Sequence, residues 1–273
     1  MNFSFNASVI VATFNRKEIL KQVLEHLDGQ KGEYSSPFEV IVVDDGSTDN
    51  TKEFMKKIME NKTYHYPISY FNTGLTDTYG VNVARNIGIK NSRGKYLLFL
   101  DDDCIPHENW VHAHVTMLEA GEKVVVGYIS HKKEILEKKL PITIDNPVMK
   151  RLYKESREDK LSELLSGNLA LSRQCFKQSG MFDERFAHFK VYGYDDIEFG
   201  HRLLIGGFKI KFNPNAVVYT QLKDFSNNKE REDMKNKAKM VWWHIVTHPQ
   251  EGLPITPLLY LYARHKIEEF KVK

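Results

Sequence analysis

The stretch KYLLFLDDD, residues 95–103, joins a continuous apolar run to three consecutive carboxylates. An apolar run without alternation is typical of a strand that is buried on both faces of a sheet. Because burying unpaired charge is costly, we expect the strand to end where Asp101 begins. Open α/β sheets bind ligands outside the carboxyl ends of their strands. The stretch therefore predicts either a ligand site, with a divalent cation relieving the repulsion among Asp101, Asp102 and Asp103, or an acidic, solvated strand end.

A second predicted strand also ends in acidic residues. Residues 39–43 read EVIVV and are followed by Asp44 and Asp45. Predicted strands alternate with helices through this half of the chain, which favours right-handed crossovers and a mostly parallel α/β sheet flanked by helices. Because the carboxyl ends of parallel strands meet at one edge, we expect the two acidic clusters to lie on the same side of the sheet.

The remaining segments are predicted from periodicity and from breaker residues. A helix is expected from Pro106 to Gly121, and residues 131–160, which contain Pro141 and Pro147, are interpreted as a long mobile loop. Further elements follow the loop. These are a strand at 167–172, a short helix at 176–180, a helix capped by Asp195 or Asp196, a strand pair at 209–219 and a helical C-terminal appendage.

Composition limits the class of protein. The 273 residues are 41% hydrophobic and 27% charged, which is ordinary for a soluble globular protein. The net charge of +3 gives no reason to expect a nucleic-acid partner. Two cysteines are too few for a disulfide framework and favour a reducing compartment. We find no signal peptide and no run long enough to span a bilayer, so a cytoplasmic location is expected.

Four motifs occur in the order found in one enzyme family. They are VIVATFNR at 9–16, VDDGSTD at 43–49, ARNIG at 84–88 leading into FLDDD at 99–103, and YDDIE at 194–198. Together they resemble the family-2 inverting glycosyltransferases of the GT-A fold, and the resemblance covers residues 8–219. The form DDDCIP at 101–106 is similar to that of enzymes that build bacterial surface polysaccharides.

The resemblance implies a domain organisation and a reaction. Residues 1–222 would form a GT-A domain, with a nucleotide-binding half (1–106) and an acceptor-binding half (107–222), followed by the helical appendage at 223–273. The reaction would move a sugar from a UDP- or dTDP-linked donor to a hydroxyl of a glycan or lipid-linked acceptor. A divalent cation, Mn²⁺ or Mg²⁺, would stabilise the departing nucleoside diphosphate.

The resemblance also assigns roles on the donor side. Asp103 is the first choice as metal ligand, Asp101 contacts the ribose or the metal through water, and Asp102 lies close by on the sugar or ribose. Asp45 accepts a hydrogen bond from the imide nitrogen of uracil or thymine, to which a carboxylate is suited. The remaining nucleotide-binding residues are Thr13, Asn15, Arg16 and Arg85.

On the acceptor side, the resemblance makes Asp196 the general base that deprotonates the attacking hydroxyl. Asp195 would orient the acceptor, and the alternative is that both residues cap a helix. Gly167 and Asn168 occupy the position where the family often lines the acceptor or donor-sugar site, and an ordinary strand start is the alternative.

Several donor-side residues have structural alternatives as well. Asp45 is also suited to helix capping, with Asp44 or Asp49 as the other candidates. Thr13 is equally consistent with an ordinary strand end, and Asn15 with a helix cap. Arg85 has two open roles, pyrophosphate binding and pairing with one of the aspartates.

One departure concerns the metal site. Many relatives have a histidine after the last strand, whereas here Tyr219 is followed by Thr220 and Gln221. The metal site would then be weak, or completed by water and the diphosphate.

Two rival functions are a sugar nucleotidylyltransferase and a catalytically silent nucleotide- or glycan-binding subunit. The absence of glycine in TFNR at 13–16 counts against the first, and the intact acidic motifs count against the second.

The C-terminal segment interleaves aromatic and basic residues, among them Trp242, Trp243, Tyr260 and Arg264. Such a composition is typical of peripheral contact with the inner face of a membrane. It is also typical of packing on the domain or of a homodimer contact.

Overall fold

The computed structural model describes residues 3–31, 37–76, 80–138, 142–144, 146–184, 186 and 195–220, with only the backbone at Ile197. The predicted helical appendage at 223–273 lies outside the described residues. The strands are β1 (Phe5–Thr13), β2 (Phe38–Asp44), β3 (Ile68–Asn72), β4 (Gly94–Asp101), β5 (Cys104–Pro106), β6 (Val124–Ser130), β7 (Asn168–Ser172) and β8 (Ile210–Thr220). The helices are α1 (Lys17–Asp28), α2 (Thr51–Asn61), α3 (Val81–Asn91), α4 (Trp110–Glu119), α5 (Pro147–Arg157), α6 (Arg173–Ser179) and α7 (Asp195–Ile205).

The strands form one sheet in the order β3-β2-β1-β4-β7-β6-β8-β5. The pairs β3-β2, β2-β1, β1-β4 and β6-β8 are parallel. Strand β7 is antiparallel to both of its neighbours, and β5 is antiparallel to β8. The sheet is therefore mixed, with the parallel part first in the chain as predicted.

The central strands are buried on both faces, which explains their continuous apolar runs. In β1, Val9 and Val11 pack into a core formed with α1 and α4, while Ile10 between them faces the opposite core. Gly88 of α3 lies against Ile10, where an added Cβ would be 2.4 Å from Cγ2. The absence of a side chain at Gly88 therefore permits close packing of α3 on the sheet.

Three predictions of secondary structure were wrong. Residues 104–106 form strand β5, and the following helix begins at Trp110 rather than at Pro106. Within the predicted loop at 131–160, residues 147–157 form helix α5, because Pro147 occupies the first helical position, where proline is favourable. The predicted strand pair at 209–219 is the single strand β8, whose register against β6 shifts between Gly127 and Tyr128.

Among the helices in the described part of the chain, none is both long and apolar enough to cross a membrane.

Candidate active site

The carboxyl ends of β1, β2 and β4 lie side by side. Register places Thr13 of β1 beside Asp44 of β2, and Ala12 beside Asp101 of β4. This arrangement confirms that the two acidic clusters share one edge of the sheet.

Asp102 is held by the end of β1. One oxygen accepts hydrogen bonds from Thr13 Oγ1 (2.8 Å) and from the Phe14 amide (3.3 Å), and the other accepts one from Arg16 (2.8 Å). Burial raises the pKa of Asp102 to about 6, against the opposing effect of Arg16. Asp102 is therefore buried and hydrogen-bonded on both oxygens in this structure.

Asp103 shares the same arginine. Its Oδ2 lies 2.8 Å from Arg16, and Cys104 donates its thiol proton to Oδ1 at 3.5 Å. Burial, and next the charge of Asp101, raise the pKa of Asp103. Cys104 is a buried free thiol, and burial raises its pKa.

Arg85 connects the triplet to the late acidic motif. This buried guanidinium lies 3.3 Å from Asp101, 2.7 Å from Asp195 and 3.7 Å from Asp196. It also lies over the ring of Phe182, 5.3 Å from the centroid. Of the two roles predicted for Arg85, the structure shows the pairing with aspartates.

Asp195 and Asp196 open α7 but have different surroundings. Asp195, predicted to orient the acceptor, is buried and accepts a hydrogen bond from Arg85. Asp196 keeps 27% of its side chain exposed and accepts a hydrogen bond from the Ser166 amide at 3.2 Å. Its Oδ1 has no hydrogen-bond partner among the described residues. Burial, and next the charge of Asp195, raise the pKa of Asp196 to about 7.

Asp45 lies at the end of β2. Thr73 Oγ1 donates to one of its oxygens at 2.9 Å, and the Gly80 amide donates to the other at 2.5 Å. A Cβ at Gly80 would lie 2.1 Å from Asp45 Oδ1, so only glycine fits there. Burial raises the pKa of Asp45, and these two hydrogen bonds oppose the rise.

The capping role falls to Asp49 rather than to Asp45. Asp49 accepts hydrogen bonds from the amides of Thr51 and Lys17, the first residues of α2 and α1. Asn15 is not a helix cap, because its side-chain oxygen accepts from the Thr48 amide at 2.7 Å. Asn15 adopts a left-handed backbone (φ 52°), which asparagine tolerates better than most residues.

The sequence interpretation missed Phe14 as a candidate functional residue. Phe14 is 48% exposed, although its backbone amide donates a hydrogen bond to the buried Asp102. A large aromatic residue at a strand end, between the polar residues Thr13 and Asn15, was the available signal.

Gly167 and Asn168 occupy different environments. Gly167 lies against Asp101, where an added Cβ would be 2.5 Å from Oδ2. Asn168, predicted to line an acceptor or donor-sugar site, is fully buried. Its amide makes hydrogen bonds inside the core.

Within the described ranges, no group of three or more histidine, cysteine, aspartate or glutamate side chains is arranged to hold a metal ion. However, carboxylates outnumber guanidinium groups at this edge. Two guanidinium groups, those of Arg16 and Arg85, pair with five carboxylates, which are Asp101, Asp102, Asp103, Asp195 and Asp196. Oxygen ligands with excess negative charge fit a hard divalent cation.

The fold and site define a GT-A glycosyltransferase, and the chain belongs to glycosyl transferase family 2, whose sequence profile matches residues 8–180. This membership favours a glycosyltransferase over the rival nucleotidylyltransferase. The chain is 29% identical to a chondroitin synthase of Pasteurella multocida over 97% of its own length and 28% of that protein. It spans about a quarter to a third of the length of the first curated relatives it matches.

Two solved structures share the fold. TarS 1-349 of S. aureus in complex with UDP-GlcNAc matches with a TM-score of 0.60 and 17% identity, covering 93% of this chain and 69% of that one. The mannosyltransferase PcManGT of Pyrobaculum calidifontis, in complex with GDP-Man and Mn²⁺, matches with a TM-score of 0.61 and 18% identity, covering 94% and 70%. At such identities the likeness concerns the fold alone.

Proposed function

We propose that this glycosyltransferase transfers a sugar, with inversion, from a UDP- or dTDP-linked donor to a hydroxyl of a glycan or lipid-linked acceptor. One observation carries the proposal. Asp196, a partly exposed carboxylate with a raised pKa, lies across the buried Arg85 from the Asp101–Asp103 triplet. The proposed base, Asp196, and the proposed donor site at Asp101 are thus in contact with the same residue, Arg85. The sequence similarity to a chondroitin synthase supports a glycan acceptor.

The nucleotide end of the donor site is assigned to Asp45 and Phe14. Each Asp45 oxygen accepts one hydrogen bond from the protein and retains a lone pair, with which it can accept the imide N–H of uracil or thymine. The half-exposed Phe14 ring offers a face on which the base can stack. Thr13 and Asn15 support this pocket indirectly, since they hold Asp102 and the 44–49 turn in place.

A divalent cation, Mn²⁺ or Mg²⁺, fits the excess of carboxylates, and Asp101 and Asp103 would hold it. When bound, it would supply Lewis-acid stabilisation of the diphosphate leaving group. Arg16 is the exposed cation on Asp103 and is placed to exchange the carboxylate for the diphosphate. PcManGT, which shares the fold, was solved in complex with GDP-Man and Mn²⁺.

The transfer step uses Asp196 as general base. The acceptor oxygen attacks the anomeric carbon and forms the new C–O bond, while the bond to the diphosphate oxygen breaks on the opposite face. The hydroxyl proton passes to Asp196, and the electron pair of the broken bond leaves with the diphosphate. A base with a pKa near 7 is matched to proton transfer at neutral pH. Asp195 and Arg85 position this carboxylate rather than react.

The test separates donor binding from chemistry. We would titrate UDP, dTDP, GDP and CDP by calorimetry with and without Mn²⁺, and then assay transfer from the matching nucleotide sugars. We expect metal-dependent binding of UDP or dTDP that is lost in Asp103→Ala and weakened in Asp45→Ala. Binding without any transfer would instead favour the silent binding subunit, and no nucleotide binding at all would refute the proposal.

The base assignment has its own variant. Asp196→Asn should lower kcat by about 10²–10⁴-fold, the usual contribution of a general base, and leave nucleotide affinity unchanged. The control is Glu60→Gln, which neutralises an exposed carboxylate on α2. Retention of wild-type kcat in Asp196→Asn would rule out this base.

A further inference from the structure

The segment 166–168 lies beside two carboxylate residues of the candidate active site, Asp196 and Asp101. The Ser166 amide donates to Asp196 Oδ2 at 3.2 Å, and the Gly167 carbonyl accepts from the Asp101 amide at 3.3 Å. Gly167 also leaves room for the Asp101 carboxylate, as described above. The position of this three-residue segment therefore determines two contacts of the candidate active site.

The buried side chain of Asn168 anchors the segment. Its oxygen accepts hydrogen bonds from Trp110 Nε1 and His114 Nε2, both at 2.8 Å. Its nitrogen donates to the carbonyls of Tyr128 at 3.1 Å and Ala216 at 2.9 Å. Burial lowers the pKa of His114 to about 4, so the ring is neutral and donates through a single N–H.

The position requires an amide for a specific reason. The β6–β8 register shifts between Gly127 and Tyr128, and a register shift disrupts the local ladder and leaves backbone groups to be satisfied by other partners. The Asn168 amide supplies two donors to carbonyls on these strands and accepts two hydrogen bonds from α4. Gly127 makes space for it, since a Cβ there would lie 2.3 Å from the amide nitrogen.

We propose that Asn168 is a positioning residue for the transfer reaction, because it fixes the start of β7 and thereby holds Ser166 on Asp196 and Gly167 against Asp101. The consequence for catalysis rests on the proposed function. The charged groups that face Asp196 are Asp195 on its own helix, Arg85 on α3 and Asp101 at the end of β4. The Ser166 hydrogen bond favours the ionised carboxylate, so its loss should raise the pKa of Asp196.

The test compares two buried asparagines. Asn168→Ser removes the anchoring amide, whereas Asn213→Ser removes a buried amide of β8 whose nitrogen donates to the Ala113 carbonyl. We would measure the pKa of Asp196 from its carboxyl ¹³C shift, assigned with Asp196→Asn, and the pH profile of kcat/KM. We expect the pKa and the acidic limb to rise by about half a unit or more in Asn168→Ser, and to stay unchanged in Asn213→Ser.

A milder variant covers the case in which Asn168→Ser does not fold. Trp110→Phe removes one donor to Asn168 and keeps an aromatic ring, so a smaller shift in the same direction is expected. An unchanged Asp196 pKa in the folded variants, or an equal shift in Asn213→Ser, would overturn the positioning role. Because the carboxyl titration needs no turnover, a selective shift in an enzyme that binds no nucleotide would uphold the positioning and refute only the proposed reaction.

Discussion

Arg16 and Arg85 each hold a group of carboxylates, and they differ in burial. The Arg16 side chain is 36% exposed and pairs with Asp102 and Asp103, whereas that of Arg85 is 6% exposed and pairs with Asp101, Asp195 and Asp196. In the Arg16 pairs only the guanidinium reaches solvent, whereas in the Arg85–Asp195 pair both partners are buried, and removing one partner from such a pair is costly. We infer from this difference that Arg16, on the proposed donor side, can exchange its carboxylate partners for a ligand, whereas Arg85 holds the proposed base Asp196 in a fixed position.

The largest expected effect is on folding. Arg85→Gln should lower the free energy of unfolding by about 3–5 kcal/mol, because Asp195 would be left buried without its partner. Urea denaturation measures this loss. The control is Arg151→Gln, which removes an exposed guanidinium from Glu155 and Glu163 and should cost at most about 1 kcal/mol. Equal losses in the two variants would break the comparison.

Ligand binding is expected to report on the donor side. Phe14→Ala should weaken UDP or dTDP binding by about 1–3 kcal/mol, the usual contribution of one stacked base. Calorimetry with Mn²⁺ present measures the change. Phe3→Ala, which removes another exposed aromatic ring, serves as the control and should bind as the wild type does. Unchanged affinity in Phe14→Ala would remove the stacking assignment.

The pH profile sharpens the description of the base side. Asp196 must be ionised to accept a proton, so kcat/KM should rise with pH through about 7. Asp195→Asn removes the neighbouring negative charge and leaves Arg85 to Asp196, and both changes lower the pKa of Asp196. The acidic limb should therefore move to lower pH, and a limb that stays in place would contradict this coupling.

The same group affects stability in the opposite sense to most aspartates. Its folded-state pKa is raised, so the native protein binds more protons than the unfolded chain between about pH 4 and 7. The contribution of Asp196 to stability accordingly falls as pH rises through this window.

The smallest expected effect concerns competition between Arg16 and the cation. Arg16→Gln leaves Asp103 without its guanidinium, so added Mn²⁺ should raise Tm more in this variant than in the wild type. The added stabilisation should be about 1 kcal/mol, because the guanidinium that the cation replaces is partly exposed to solvent. Thermal unfolding with and without Mn²⁺ tests this, and an equal rise in both proteins would argue against a shared site on Asp103.

Local patterns were sufficient for most strands and for the acidic edge. Alternation was absent in β1, β2 and β4 because both faces are buried, and that pattern placed the strands correctly. The same local reasoning misjudged α5, because proline was treated as a breaker although it stands at a helix start. The burial of Asn168 could not be predicted from its sequence neighbours, because its hydrogen-bond partners lie on α4, β6 and β8.

The sequence by itself determined that acidic residues follow two strands of the sheet and that a further acidic pair opens a late helix. Only the tertiary structure decided which carboxylates are paired, since the Arg16–Asp102 contact joins residues 86 apart and the Arg85–Asp195 contact joins residues 110 apart. Burial, hydrogen bonding and neighbouring charge set the pKa of each group, and all three depend on elements distant in the chain. The fold thereby leaves Asp196 partly exposed, with a pKa of about 7, and buries the neighbouring Asp195 against Arg85.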